Sequence, residues 1–207
     1  FDWSPDSSRI VFSYAKTPGA NDWTTTDVSI IEVANSKVTV LANSPAAELG
    51  PSYSPDGNSI AVLLTDNPPR WAQTGQLAIY SANGGQPKVL AASFDGQPEV
   101  AGWSTDSKRI YFSETKGTGT LIYSLDIAAN RIEEIKTTPA VYNAISLNRT
   151  GTMFGFVRQT PDTPGDAYVS SVNNFMPTQI SQANADIKLP PLGKTEVVRW
   201  KSKDGRE

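Results

Sequence analysis

Hydrophobic and polar residues alternate along most of the chain, in short runs separated by turn-forming residues. In four places apolar residues return at every second position, as in the pairs Ile10 and Phe12, Ile60 and Val62, Ile110 and Phe112, and Phe154 and Phe156. Alternate residues of a strand point to the same side, so each pair predicts one apolar strand face. No stretch has the period of a helix, and the pattern therefore predicts an all-β chain.

The segment that leads into each of these strands is repeated. The four copies start at Trp3, Tyr53, Trp103 and Leu147, which are 50, 50 and 44 residues apart. In the first three copies an aromatic residue is followed by Ser-Pro-Asp or, in the third copy, by Ser-Thr-Asp. Pro presets φ for a type I turn, Asp caps the turn through its carboxylate, and the next Gly or Ser tolerates the backbone that follows. The fourth copy, 148–151, has lost Pro and Asp and predicts the weakest unit.

Two more strand-like runs follow in every repeat. Third strands are predicted at 28–33, 77–80, 121–125 and 167–172, and fourth strands at 38–41, 88–90, 132–135 and 179–180. Asn83-Gly84 is a strong hairpin signal between two of them, because a type I′ turn needs φ > 0 at both central positions. Four strands in a unit of about 45 residues are typical of a β-propeller blade, whereas a β-sandwich or a series of unrelated meanders would not explain the fixed period.

The fold predicted from this pattern is an all-β β-propeller arc of four four-stranded blades. The blades occupy residues 1–186, with repeats that start near 1, 51, 101 and 145. At 207 residues and 38% hydrophobic content, the chain is long enough to bury a substantial core.

Composition excludes several classes of function. A net charge of −3 and a pI near 5.1 argue against nucleic acid as a partner, which needs a concentrated basic face. The longest apolar run, 60–64, is far shorter than the roughly 18 residues of a membrane span. The sequence contains no cysteine, which fits a cytoplasmic chain as well as a periplasmic or secreted bacterial one.

Histidine is also absent from the sequence. A Ser–His–Asp or Cys–His arrangement needs an imidazole to accept and return the proton of the nucleophile. A zinc site would have to consist of carboxylates alone, and no G-x-S-x-G, P-loop or calcium-loop motif is present. We therefore expect no catalytic residue, no metal and no cofactor in this chain. A propeller lyase with metal-binding histidines is rejected on the same ground.

The sequence changes character after the last repeat. Residues 187–193 contain two prolines and a glycine and predict an extended connector. Residues 196–207 then predict a short strand and an Asp204-Gly205 hairpin turn, without the second strand that a hairpin needs. We expect 187–207 to be a linker and the first strand of a truncated further domain.

The repeats, of the type aromatic-Ser-Pro-Asp-Gly-x-x-Ile-x-Phe, resemble those of two groups of propellers. One is the Tol-system periplasmic propeller, and the other is the propeller of prolyl oligopeptidase-family serine peptidases. In the peptidases, a segment similar to Glu196-Val-Val-Arg-Trp-Lys-Ser-Lys-Asp-Gly205 opens the α/β-hydrolase domain. The chain looks most like the bacterial dipeptidyl- and acylaminoacyl-peptidase branch.

The resemblance to the peptidases implies more than the residues show by themselves. It implies that the chain is the C-terminal half of a seven- or eight-bladed ring, and that the catalytic residues lie beyond Glu207. The expected partners are a missing N-terminal propeller half, the hydrolase domain and peptide substrates. By itself the chain should be inactive as a peptidase and should not exist as a lone open monomer, because two apolar blade faces would be exposed.

Longer connections between second and third strands are predicted at 14–26, 65–75 and 159–166, all on one side of the propeller. Loops on a rigid scaffold commonly carry binding residues. The candidate substrate-binding residues are Asp22, Trp23, Asp66, Arg70 and Trp71. Arg70 would bind a peptide carboxylate or carbonyl through its planar fork, and Trp71 would pack on a side chain. The alternative is that Trp71 fills a gap under its own loop.

Two functions therefore compete on the sequence alone. One is a non-catalytic part of a serine peptidase that gates and helps to bind short peptides, in an enzyme that hydrolyses their peptide bonds. The alternative is a Tol-type, non-enzymatic protein-binding propeller, which explains the repeats but leaves 196–207 unexplained.

Overall fold

A computed structural model describes residues 1–186, 193 and 195–205 of the chain. These residues form sixteen β-strands and one 3₁₀ helix, Ala20–Thr25. The first sheet consists of β1 (Asp2–Trp3), β2 (Arg9–Tyr14), β3 (Asp27–Glu32) and β4 (Val38–Ala42). The second consists of β5 (Glu48–Tyr53), β6 (Ser59–Thr65), β7 (Gly75–Ser81) and β8 (Lys88–Val89). The third consists of β9 (Glu99–Trp103), β10 (Arg109–Lys116), β11 (Gly119–Asp126) and β12 (Arg131–Ile135). The fourth consists of β13 (Val141–Leu147), β14 (Met153–Thr160), β15 (Thr163–Ser171) and β16 (Thr178–Gln179).

Each sheet is an antiparallel meander whose four strands lie in chain order, as the blade prediction requires. We number the sheets as blades 1 to 4. The repeated aromatic residue ends the first strand of blades 1 to 3, and Leu147 ends it in blade 4. The predicted third and fourth strands coincide with the observed ones to within a few residues. The four-bladed all-β fold is thus confirmed, whereas the number of blades in a complete ring stays a prediction.

The apolar core lies between neighbouring blades. The two faces of a central strand pack on opposite neighbours: Ile60 and Val62 of β6 lie in the cluster with blade 1, whereas Ala61 of the same strand lies in the cluster with blade 3. The same alternation continues in β10, where Ile110 and Phe112 face blade 2 and Tyr111 faces blade 4. Alternation of side chains in a strand thus becomes a radial stack of sheets.

Blade 1 departs from the predicted core. Ile10 and Phe12 are only half-buried, and Val11 between them is the residue of β2 that is fully buried. The side of β2 that carries Val11 packs on blade 2. Among the described residues, no sheet packs on the other side, which carries Ile10 and Phe12. Trp3 and Tyr14 in the same blade are 48% and 38% exposed.

The segment after the last blade differs from its prediction. Residues 195–200, at the position of the predicted short strand, form neither a strand nor a helix. The predicted Asp204-Gly205 turn is present, since Gly205 N–H donates to Ser202 O at 2.9 Å and Gly205 has φ 83°. Except for Gly193, the predicted connector 187–193 lies outside the described residues, as do 206 and 207. The assignment of 187–207 to a hydrolase domain stays a prediction.

Candidate functional site

The connections between strands emerge at two ends of the blades. One side carries the turns between first and second strands, which include the repeated Ser-Pro-Asp or Ser-Thr-Asp segments, and the turns between third and fourth strands. We call this side the turn end. We call loop end the opposite side, with the second-to-third strand connections and the connections between blades. In blades 1 to 3 its main segments are 15–26, 43–47, 66–74 and 90–98. All five candidate residues lie at the loop end.

Asp22 and Trp23 lie on the 3₁₀ helix between β2 and β3. The Trp23 carbonyl accepts the Thr26 N–H at 3.2 Å and the Thr26 hydroxyl at 2.6 Å, which ends the helix. The Asp22 carboxylate accepts a hydrogen bond from the Thr17 hydroxyl. These contacts give the Trp23 side chain a fixed base on blade 1.

Asp66, Arg70 and Trp71 lie on the 66–74 loop between β6 and β7. The Asp66 carboxylate accepts hydrogen bonds from Nε and a terminal nitrogen of Arg70, at 3.1 and 2.9 Å. It also accepts one from the Thr74 hydroxyl, at 2.6 Å. The hydrogen bonds from Thr74 and Arg70 hold the pKa of Asp66 below its usual value. Asp66 therefore closes the loop at its base, while the Arg70 side chain remains 70% exposed.

The two tryptophans meet across the boundary between blades 1 and 2. The ring centroids of Trp23 and Trp71 are 6.0 Å apart and the rings are inclined at 69°, an edge-to-face arrangement. Trp71 is 84% exposed. The alternative that Trp71 fills a gap under its own loop is therefore wrong. Its ring lies outside the loop, against an aromatic residue of the preceding blade.

The prediction of a third long loop at 159–166 was wrong. β14 continues to Thr160 and β15 starts at Thr163, so Pro161 and Asp162 alone connect them. The predicted loop residues extend the two strands instead, since Thr160 pairs with Thr163 across the hairpin. Blade 4 thus contributes no long second-to-third strand loop to the loop end.

Buried carboxylates that sequence reasoning missed hold the connections between blades. Glu114 on β10 is 3% exposed. Its carboxylate accepts hydrogen bonds from the backbone N–H groups of Asp95 and Gln97, at 3.2 and 2.9 Å, and from the Ser93 hydroxyl. A signal was present in the sequence: Glu114 continues the alternate positions of Ile110 and Phe112, so it was placed on a buried strand face.

Glu48, the first residue of β5, has a similar role for the connection 43–47. It is fully buried and accepts the Ser44 N–H at 2.9 Å. Burial raises the pKa of this carboxyl group above its usual value, despite the opposing hydrogen bond from Ser44. The connections on either side of blade 2 are therefore each held by a carboxylate that is inaccessible to solvent.

A groove of about 710 Å³ runs between the 66–74 loop and the 90–98 connection. Its walls combine apolar and polar side chains, among them Leu64, Asp66, Thr74, Phe94 and Asp95. Phe94 is 67% exposed, and the Lys116 ammonium lies 4.5 Å from its ring centroid. The groove adjoins the loop that carries Trp71 and offers space for a short extended segment.

In the part of the chain that the structure describes, no group of three or more acidic side chains is arranged to hold a metal ion. Within the same residues no helix is long and apolar enough to cross a membrane.

Comparisons with known proteins agree with the fold and extend the resemblance. No family model matches the sequence. Dipeptidyl-peptidase 5 of Porphyromonas gingivalis is 25% identical over 211 residues, which is 99% of this chain and 30% of that protein. The chain thus spans less than a third of the length of this curated relative.

Solved structures match the fold at low identity. A puromycin-hydrolyzing peptidase of Mycobacterium tuberculosis superimposes with a TM-score of 0.70 and 16% identity, over 99% of this chain and 32% of that one. TolB of Acinetobacter baumannii superimposes with a TM-score of 0.67 and 16% identity, over 86% of this chain and 42% of that one.

Both solved structures share the propeller architecture with this chain, and at 16% identity that is what they establish. The similarity to the dipeptidyl peptidase is a similarity of sequence, and it extends past the blades into the final residues. The comparisons select no subfamily of peptidases. They confirm the resemblance of this chain to a propeller segment of a prolyl oligopeptidase-family serine peptidase.

Proposed function

We propose that this chain is a non-catalytic propeller part of a serine peptidase, which limits access of peptides to the hydrolase domain and helps to bind them. The observation that carries the proposal is the sequence similarity to a dipeptidyl peptidase over nearly the whole chain, final segment included. The parent enzyme would hydrolyse peptide bonds of short peptides. No residue of this chain is assigned a catalytic role.

The loop end supports this proposal because its longest segments differ from blade to blade. The 15–26 and 66–74 loops both rest on sheets whose strands are tied by regular ladders, so their side chains are presented by a rigid scaffold. Arg70 and Trp71 are the most exposed of the candidate residues, at 70% for the Arg70 side chain and 84% for Trp71. Both side chains are therefore accessible to a peptide at this end.

Arg70 is paired but still accessible. Both of its hydrogen bonds to Asp66 go to one carboxylate oxygen, and a solvent-exposed ion pair of this kind contributes little stability. Arg70 is therefore proposed to bind a carbonyl or carboxylate of the peptide without a large loss of loop stability. Asp22 and Asp66 are proposed to keep the two loops in the conformation that presents Trp23, Arg70 and Trp71.

The test uses the full-length polypeptide that contains this chain. Arg70→Ala and Trp71→Ala should each raise KM for short peptides about 3- to 10-fold, while the melting temperature changes little, since each removes roughly one polar or aromatic contact. Arg131→Ala is the matched control, because Arg131 is an equally exposed arginine that pairs with Glu133 on the outer strand β12. An unchanged KM with a lowered melting temperature would assign both residues to packing.

The Tol-type alternative is favoured by one observation, the likeness in fold to TolB. It predicts that the full-length polypeptide neither hydrolyses peptides nor reacts with a serine-directed inhibitor. Labelling by such an inhibitor, followed by mass analysis of the modified peptide, separates the two functions. A label on a residue beyond Glu207 supports the peptidase, and the absence of any label supports the binding module.

A further inference from the structure

We infer that Trp23 and Trp71 together bind an uncharged aromatic side chain of a peptide, as an aromatic clamp between blades 1 and 2. The inference rests on the proposed function, and it names the class of side chain that this part of the loop end takes. It also separates the role of the tryptophans from that of Arg70, because the clamp needs no charge on the ligand.

The first step is the geometry of the pair. In an edge-to-face arrangement one ring presents its edge and the other its face, so each ring keeps at least one face that its partner does not cover. Trp71 is 84% exposed, more than any other tryptophan of the described residues. An incoming aromatic ring could thus pack on Trp71 and contact Trp23 at the same time.

The second step is that hydrogen bonds hold the backbone that carries each ring. Trp23 is held by the hydrogen bonds that end the 3₁₀ helix, and Trp71 lies on the loop that Asp66 closes through Arg70 and Thr74. Each ring belongs to a different blade, and the two blades share a continuous apolar core. Little conformational freedom of this loop backbone remains to be lost on binding, which favours affinity from few contacts.

The third step is the balance of charge around the rings. The 15–26 and 66–74 loops carry two basic residues, Lys16 and Arg70, and two acidic residues, Asp22 and Asp66. Both carboxylates already accept hydrogen bonds from their own loop, Asp22 from Thr17 and Asp66 from Arg70 and Thr74. A site without net charge, and with its acids satisfied, complements an uncharged side chain better than a charged one.

The experiment measures binding directly by calorimetry on the full-length polypeptide. The probes are hexapeptides acetylated and amidated at their ends, identical except for Phe, Ala or Glu at one central position. The blocked ends remove terminal charges and the free amine that an aminopeptidase requires. The Phe peptide should bind about 2- to 10-fold more tightly than the Ala peptide, the range expected for one aromatic contact, and the Glu peptide no better than the Ala peptide.

Trp71→Ala and Trp23→Ala should each abolish the preference for Phe over Ala, and Trp71→Phe should restore part of it. Trp3→Ala is the matched control, since Trp3 is a 48% exposed tryptophan at the opposite, turn end of blade 1. This control should keep the full preference. The ratio should also be the same at low and high salt, because no ion pair contributes to it.

Absence of a Phe preference in the wild type, or its persistence in either tryptophan-to-alanine variant, would overturn the clamp. The outcome is separate from that of the proposed function. If Arg70→Ala raises KM while no Phe preference exists, the gating role stands and the clamp fails. If the preference exists while KM is unchanged in the Arg70 and Trp71 variants, the clamp stands and the gating role fails.

Discussion

Carboxylates hold the connections at both ends of the blades, but by a repeated contact at one end and by different contacts at the other. At the turn end the same contact recurs in blades 1 to 3, from the Ser hydroxyl to the Asp carboxylate, at 2.6, 2.5 and 2.6 Å. At the loop end the carboxylates that hold the segments come from different strands and positions, as with Glu48, Asp66 and Glu114. The difference shows that the turn end repeats a structural solution, whereas the loop end varies its chemistry on a constant scaffold.

Blade 4 keeps the turn although it has neither the Pro of the first two copies nor the Asp of the first three. The Asn148 side-chain oxygen accepts the N–H groups of Thr152 and Met153 at 2.9 and 3.1 Å. Gly151 N–H donates to Asn148 O at 2.9 Å, as Gly57 does to Ser54 in blade 2 at 2.8 Å. One Asn side chain thus replaces the Ser and Asp of the repeat, which explains why the degraded copy still forms a blade.

The turn end also connects neighbouring blades. Asp56 N–H donates to the Ser107 hydroxyl of the next blade at 3.1 Å. A Cβ atom added at Gly151 would lie 2.9 Å from Thr105 Cγ2 of the preceding blade, which is too close. Glycine therefore suits position 151 in two ways, through its φ of 62° and through the close approach of the two turns.

The largest effect is expected at the loop end, from Glu114→Ala in the full-length polypeptide. The change leaves the donors of Ser93, Asp95 and Gln97 without their buried acceptor, and we expect a loss of about 1–3 kcal/mol in the free energy of unfolding. Urea unfolding measures it. Glu134→Ala, at an exposed site on β12, is the control and should change the free energy by less than about 0.5 kcal/mol. Equal effects of the two changes would contradict the role given to Glu114.

The next effect is a dependence of stability on pH that has opposite signs for the turn-end aspartates and for the buried Glu48. Hydrogen bonds from the neighbouring Ser hydroxyls and backbone N–H groups lower the pKa of Asp6 to about 2, and also lower those of Asp56 and Asp106. A lowered carboxyl pKa contributes stability that is present above the ordinary value near 3.8 and is lost as pH falls toward the folded value. The pKa of Glu48 is raised by burial, so its contribution is present at low pH and is lost as pH rises.

Melting temperatures between pH 7 and pH 2 test both signs. Asp56→Asn should make the loss of stability below pH 4 smaller, because one carboxylate with a lowered pKa has been removed. Glu48→Gln should make the loss on acidification larger, since the group that gains from protonation is gone. If both variants shift the profile in the same direction, the contrast between Asp56 and Glu48 is refuted.

The smallest effect on stability is expected when glycine replaces a turn-end residue that has a positive φ. Ser7 and Ser107 both have φ 59°, a region that costs an L-residue free energy and glycine very little. Ser7→Gly should stabilise the full-length polypeptide by about 0.5–1 kcal/mol. Ser107→Gly should stabilise it less, because the Ser107 hydroxyl accepts the Asp56 N–H. Thermal unfolding compares the two, and a larger gain at Ser107 would contradict the contact between blades.

Much of the fold was predictable because its determinants are local in sequence. The Asp6 carboxylate reaches Ser4 and Ser8, and each blade closes through hairpins between consecutive strands. Alternation of apolar residues then predicted which strand faces would be buried, and this was confirmed for Ile60, Val62, Ile110 and Phe112. The 159–166 error arose because Pro161 and Asp162 were read as part of a long loop rather than as a two-residue turn.

The sequence by itself determined the four blades, their turns and the exposed position of the candidate loops, since these depend on residues within a few positions of one another. The tertiary structure decided which residues meet across blades. Nothing in the local pattern predicts that Trp23 and Trp71 are in contact, or that Ile10 and Phe12 are only half-buried while Val11 is fully buried. Such contacts depend on how one blade packs on the next, and that geometry is set by side chains far apart in the chain.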